Sequence, residues 1–227
     1  REEKAKFGIA FDGDGDRVIL IDEMGECLDG DEILYIIARG RLETKTLKGG
    51  VVGTIMTNFG IEKAFRDLGI PFARSPVGDR YVLEVLKAKG WDLGGETSGH
   101  ILDLSTTATG DGLIAALLVL EEMCRTGKTL HQLKQGLQKY TQTMINVPAR
   151  LGKQVVLSER VQSALKEQES RLQGFGRIVL RPSGTEPLVR VMVEAEHTEM
   201  TQVVAKTIAD AVRASAESTS DIQQDNQ

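Results

Sequence analysis

Along the first 140 residues, short apolar runs alternate with apolar stripes at helical spacing. Residues 7–11 and 18–21 predict buried strands, and 50–55 is a β-branched run of the same kind. Ile33, Leu34, Ile36 and Ile37 form a helical stripe over 31–41, with Asp31 near its cap. Residues 62–68 predict a helix and 71–74 a strand or loop. Asp79 can cap a helix over 79–89 with Val82, Val85 and Leu86 on one face. Leu93 opens a short strand into a glycine-rich turn, and 100–104 is strand-like again. Asp111 can cap a helix over 113–124 that Gly127 ends, and 129–140 predicts a further helix. This alternation is the sign of an α/β layer fold with a largely parallel sheet.

Near residue 140 the rhythm changes. Residues 143–149 predict a strand and 158–172 a helix. Strands over 178–180 and 188–195 then flank a polar turn, and a helix follows over 200–214. That is a compact α+β unit of its own. Residues 217–227 are rich in Ser, Gln, Asp and Asn and read as a disordered tail.

Composition narrows the functional classes. The 227 residues are 41% hydrophobic and 27% charged, as in ordinary globular proteins. A net charge of −5 argues against a nucleic-acid-binding surface. No run reaches membrane-spanning length, so no membrane partner is expected, and no signal peptide is visible. Cys27 and Cys124 lack CxxC partners, which points to reduced thiols and a cytoplasmic setting.

The strongest local signal is Asp12-Gly13-Asp14-Gly15-Asp16-Arg17. Three carboxylates at alternate positions share one side of an extended chain, and the glycines between them let the oxygens converge. Three such oxygens suit Mg²⁺, which keeps positions open for water or a phosphate. Asp12, Asp14, Asp16 and Glu23 also fit positions one, three, five and twelve of a calcium-binding EF-hand loop. Against that stand Arg17, where the sharp turn wants glycine, and flanks that look like strands rather than helices.

Two more loops carry candidate chemistry. In Gly94-Gly95-Glu96-Thr97-Ser98-Gly99-His100, Glu96 and Ser98 could bond sugar hydroxyls or an amine, and His100 could hold or move a proton. The stretch 181–190, R-P-S-G-T-E-P-L-V-R, sets two hydroxyls, backbone N–H groups and two arginines within ten residues. Arg181, Ser183, Gly184, Thr185 and Arg190 could together cradle a phosphate.

The three loops, in this order and at these separations, resemble those of the α-D-phosphohexomutase superfamily. The text between them is closest to its bacterial branch acting on glucosamine phosphates: G-I-A-F-D-G-D-G-D-R-V, G-I-P-F-A-R, V-G-D-R-Y-V-L-E, T-G-D-G and L-V-R-V-M-V-E. The resemblance covers about residues 5–214. It implies that Asp12, Asp14 and Asp16 hold Mg²⁺, and that Arg17 and His100 take catalytic parts. It implies further that Glu96 and Ser98 bind the sugar, and that 181–190 holds the phosphate that is not reacting. The implied activity interconverts glucosamine 6-phosphate and glucosamine 1-phosphate through a phosphoserine and a glucosamine 1,6-bisphosphate intermediate. The substrate is then a phosphosugar, and a homodimer is possible.

The implied fold is a phosphohexomutase-type α/β domain followed by a small α+β domain like the TATA-box-binding protein. Residues 1–21 would end a second domain and carry the metal loop. Residues 22–140 would be a third domain with the sugar loop, and 141–216 a fourth with the phosphate loop. One departure matters: no serine here has the neighbourhood of the family's phosphoserine. The nucleophile is therefore expected upstream of Arg1, and the chain alone is expected to be inactive. Thr97 and the stretch 102–105 are smaller departures beside the sugar loop.

Overall fold

The structure, a computed structural model, describes residues 5–224. The chain divides into two compact units between Gln138 and Lys139.

The first unit opens with β1 (Gly8–Phe11), β2 (Val18–Ile21) and β3 (Cys27–Leu28), an antiparallel sheet in the order β1-β2-β3. The acidic loop is the β1–β2 connection, and strands rather than helices flank it. That excludes the EF-hand arrangement. Glu23, which would complete such a loop, instead accepts from the His131 amide at 3.4 Å.

Then follow α1 (Gly30–Thr44), β4 (Val51–Thr54), α2 (Phe59–Asp67), β5 (Phe72–Ser75), α3 (Asp79–Lys89), β6 (Leu93–Gly95), β7 (Ile101–Asp103), α4 (Gly112–Thr126) and α5 (Leu130–Leu133). The second sheet has the order β5-β4-β6-β7, parallel except for β7. Successive side chains of a strand point to opposite faces. Val51 accordingly joins the core with Ile33, Ile36, Ile61 and Phe65 of α1 and α2, and Val52 joins Val82 and Leu86 of α3. Val18, Leu20 and Leu28 belong to the former cluster, so the β1–β3 sheet and the α/β layers share one core.

Some element ends differ from the sequence expectation. Asp29 rather than Asp31 caps α1, through a capping box with Glu32. Gly78 occupies the cap position of α3, and Asp79 is its first helical residue. The helix expected over 129–140 stops at Leu133, and the chain turns through Gly136, whose φ of +94° a side chain would resist.

The second unit contains β8 (Thr141–Pro148), α6 (Gly152–Leu157), α7 (Glu159–Leu172), β9 (Gly176–Pro182), β10 (Leu188–Ala195) and α8 (Thr198–Gln224). Its sheet is antiparallel in the order β8-β10-β9. Val189, Val191, Val193 and Ala195 alternate onto the face covered by the helices, against Val161, Leu172, Val204 and Ile208. The expected tail from 217 is helical to Gln224, because Ala211–Ser218 carries neither Gly nor Pro to stop α8. Ser215 also ties that helix to Ser158 at 2.8 Å. Residues 225–227 of the expected tail lie outside the described residues. No helix of the described residues is long and apolar enough to cross a membrane. Cys27 and Cys124 are both free and exposed.

Candidate functional site

The β1–β2 hairpin sets the acidic loop at the surface and closes it on itself. The Arg17 amide donates to Asp12 Oδ1 at 3.2 Å, and the Asp12 amide to the Arg17 carbonyl at 3.4 Å. One carboxylate oxygen from each of Asp12, Asp14 and Asp16 lies within 4.8 Å of the others. Partial desolvation raises the Asp12 carboxyl, but the Arg17 amide, Asp16 and the Arg17 charge prevail and hold it below its ordinary value. The Arg17 guanidinium is half exposed, with Nε 3.9 Å from Asp12 and 4.0 Å from Asp16. Oδ1 of Asp16 is buried and has no hydrogen-bond partner among the described residues. A buried anionic oxygen without a donor is costly unless a cation meets it. Three converging carboxylates, one of which also has a buried oxygen without a hydrogen bond, fit a divalent cation of the magnesium or calcium kind.

Behind this loop stands His100. It is buried, and its Nδ1 lies 3.1 Å from Asp16 Oδ2. The other edge of the ring rests on Gly110, where an added Cβ would come within 2.1 Å of Nε2. In this position the imidazole orients a candidate metal ligand, as outer-shell histidines do. The backbone fixes the same arrangement. The Val18 amide donates to the Gly99 carbonyl at 3.2 Å, and the Gly112 amide to the Gly15 carbonyl at 3.1 Å. The acidic loop, the β6–β7 turn and the start of α4 are thus joined. The T-G-D-G stretch, which sequence analysis gave no site role, supplies both Gly110 and Gly112.

In the β6–β7 turn, Glu96 accepts from the Gly78 amide at 2.8 Å through Oε1, and Ser98 is exposed. Asp103 lies within the 102–105 stretch. It takes a two-armed bond from Arg41 of α1, at 2.9 and 2.6 Å, and 2.7 Å bonds from the Ser105 and Thr106 hydroxyls. Burial pushes this carboxyl up, but Arg41 and the two hydroxyls outweigh it and hold Asp103 at about 2.

In the second unit, the β9–β10 turn carries Ser183, Gly184 and Thr185, of which Gly184 and Thr185 are exposed. The Ser183 amide donates to the Leu188 carbonyl at 2.8 Å, closing the turn. Among the described residues, the Gly184 and Thr185 amides have no backbone acceptor. Arg181 and Arg190 are register partners across β9 and β10. Arg190 donates to Glu186 at 3.0 Å, while its buried Nε has no hydrogen-bond partner among the described residues. The arrangement offers two guanidinium groups and free amides to one anion.

The fold is that of phosphohexomutase domains. Residues 29–140 match the model of phosphoglucomutase/phosphomannomutase alpha/beta/alpha domain III, and 144–211 match that of the C-terminal domain. The chain belongs to this family. More particularly, it is 52% identical over 211 residues to the phosphoglucosamine mutase of Aeromonas hydrophila, and 54% identical to that of Nitrosococcus oceani. Each comparison takes in 93% of this chain and 48% or 47% of the relative, so the chain spans about half the length of the curated relatives it matches. Among solved structures, it is similar to Aspergillus fumigatus N-acetylphosphoglucosamine mutase in complex with GlcNAc-6P and magnesium. The TM-score is 0.74 at 23% identity, over 92% of this chain and 48% of that one. It is also similar to a phosphoglucomutase/phosphomannomutase family protein from Burkholderia thailandensis, with a TM-score of 0.75 at 21% identity over 93% of this chain and 47% of that one. At such identities the likeness is one of fold.

Proposed function

We propose that this chain carries the metal, sugar and distal-phosphate parts of a phosphoglucosamine mutase. The observation that carries the reading is the acidic loop: three convergent carboxylates with one buried oxygen lacking a donor. The identity to phosphoglucosamine mutases supports the choice of sugar. Asp12, Asp14 and Asp16 would hold Mg²⁺, which when bound supplies positive charge against a transferring phosphoryl group. Arg17 adds positive charge beside it, and His100 keeps Asp16 in its orientation. Glu96 and Ser98 bond the sugar, with one Glu96 oxygen already committed to the Gly78 amide.

A mutase must bind one bisphosphate intermediate, here glucosamine 1,6-bisphosphate, in two orientations. A fixed site for the phosphate that is not reacting meets that need, and Arg181, Ser183, Gly184, Thr185 and Arg190 supply it. Holding the remote phosphate positions the reacting end. Ser98 and Ser183 belong to binding loops, so we assign the nucleophilic serine to the part of the relatives' length that this chain does not span.

The test is turnover of glucosamine 6-phosphate by the whole protein with Mg²⁺ and bisphosphate primer, beside glucose and mannose phosphates. Preference for the amino sugar is expected. Preference for glucose or mannose phosphate would move the protein to another branch of the family. Turnover by the purified 227-residue chain alone would overturn the assignment of the nucleophile.

A further inference from the structure

The Asp31 carboxylate is fully buried, yet it does not cap its helix. Capping falls to Asp29 and Glu32. Asp31 instead reaches two other segments. Its Oδ1 accepts from the Thr97 hydroxyl at 3.0 Å, and its Oδ2 accepts from the Asn58 amide, at the start of α2, at 2.9 Å. The backbone reinforces the first link, because the Gly30 amide donates to the Thr97 carbonyl at 3.0 Å. The approach is so close that a Cβ on Gly30 would lie 1.9 Å from the Glu96 carbonyl oxygen. Burying a carboxylate is costly unless donors compensate it, and removing one donor exposes that cost. Thr97 lies between Glu96 and Ser98, the two residues assigned to the sugar, so movement of Thr97 displaces both.

We propose that Asp31 and Thr97 form a latch that fixes Glu96 and Ser98 in sugar-binding geometry, which makes Asp31 and Thr97 positioning residues. The inference rests on the phosphosugar reading above. Neither residue needs to touch the substrate. Their effect passes through the placement of the turn.

Thr97→Val removes the hydroxyl and keeps the branched shape, and Thr97→Ser keeps the hydroxyl. In the whole protein, Thr97→Val is expected to raise KM for the phosphosugar about five- to thirtyfold, with kcat changed less than about threefold. Thr97→Ser should restore KM. A KM for Thr97→Val within about twofold of the parent overturns the latch, as does failure of Thr97→Ser to restore it. Amide hydrogen exchange on the 227-residue chain gives a readout without turnover. The Glu96 and Gly99 amides, which close the turn onto the His100 and Glu96 carbonyls, should exchange about tenfold faster in Thr97→Val. Unchanged protection overturns the latch whatever the substrate. Faster exchange in a protein that turns over no hexose phosphate overturns the sugar assignment alone.

Discussion

Arg181 and Arg190 face each other directly across the antiparallel β9–β10 pair. Four positions along the same face of each strand, Arg177 faces Glu194, and these two form an ion pair at 2.5 Å. One cross-strand position is therefore neutralised within the protein, while the other sets like charges opposite each other. Like charges so placed cost roughly 0.2–1 kcal/mol. Among the described residues Arg181 has no hydrogen-bond or ion-pair partner, and Arg190 has only the exposed Glu186. On the phosphate-binding reading proposed above, an anion would relieve this repulsion.

Arg181→Gln should therefore separate binding from folding. The melting temperature of the chain without ligand should stay level or rise slightly, since a repulsion is removed. Inorganic phosphate should raise the melting temperature of the parent chain and leave that of Arg181→Gln nearly unchanged. In the whole protein the same change should raise KM for the phosphosugar about tenfold or more, as loss of a charged hydrogen bond does. A melting temperature that falls by several degrees without phosphate would make Arg181 a structural residue instead.

The acidic loop should behave in the same sense with opposite charge. Without a divalent cation, Asp12, Asp14 and Asp16 repel one another within 4.8 Å. Asp14→Asn should leave the metal-free chain as stable as the parent or slightly more so. Mg²⁺ should raise the melting temperature of the parent, and the variant should lose that rise. In the whole enzyme the substitution should cut kcat far more than it changes phosphosugar affinity. Calorimetric titration with Mg²⁺ measures the first effect, and equal turnover by parent and variant at saturating Mg²⁺ would remove the loop from the chemistry.

Sequence showed the elements better than it showed their joints. Strands on both sides of the acidic loop were legible as apolar runs of four or five residues between charged positions, but β1, expected to be buried, is largely exposed. The helix starting near Asp111 and ending at Gly127 carried its cap and its stop in the sequence, and the structure has both. Asp31 was harder. Asp29 and Asp31 are the same helix-capping residue type two positions apart, and only the pairing of Asp29 with Glu32 separates them. His100 could be placed in the sugar loop, but its partner Asp16 lies 84 positions away, and no local spacing carries that contact. Gly110 needed the same long-range knowledge. The antiparallel hairpin before α1 was legible as strands, while its packing onto the α1 and α4 core depended on tertiary contacts.

Acid should probe the joint between α1 and the strand after His100. Burial raises the Asp103 carboxyl, but the Arg41, Thr106 and Ser105 bonds dominate and hold it at about 2, against 3.8 for a free aspartate. A depressed carboxyl stabilises the fold above its unfolded value and loses that contribution as pH falls through its folded value. The window is therefore about pH 4 to 2, and the contribution is on the order of 2 kcal/mol. Asp103→Asn should destabilise the chain at neutral pH by about 3 kcal/mol or more, because it leaves the largely buried Arg41 charge without its partner. The gap between parent and variant should narrow as pH falls across that window. Urea unfolding at pH 7, 4 and 2.5 would measure it, and a constant gap would mean that Asp103 does not titrate there.

The contact between His100 and Gly110 permits a test in which one defect should cancel another. Gly110 has no side chain, and a Cβ there would lie 2.1 Å from His100 Nε2, far inside van der Waals contact. The ring can yield only by giving up its place beside Asp16, since it is buried and its other nitrogen lies 3.1 Å from that residue. Gly110→Ala should therefore cost about 1–3 kcal/mol, the usual penalty for overpacking. It should also turn the ring off Asp16 and weaken the stabilisation expected from Mg²⁺. His100→Ala alone should leave a small cavity and loosen Asp16. In the double variant the new methyl enters the space the ring has vacated, so the Gly110→Ala cost should nearly vanish. The coupling between the two changes should then be about 1–3 kcal/mol and favourable, where distant independent sites would simply add. Chemical unfolding of the four proteins closes the cycle. Simple additivity would show that Gly110→Ala acts on its own backbone and that the His100 ring is not wedged between Gly110 and Asp16.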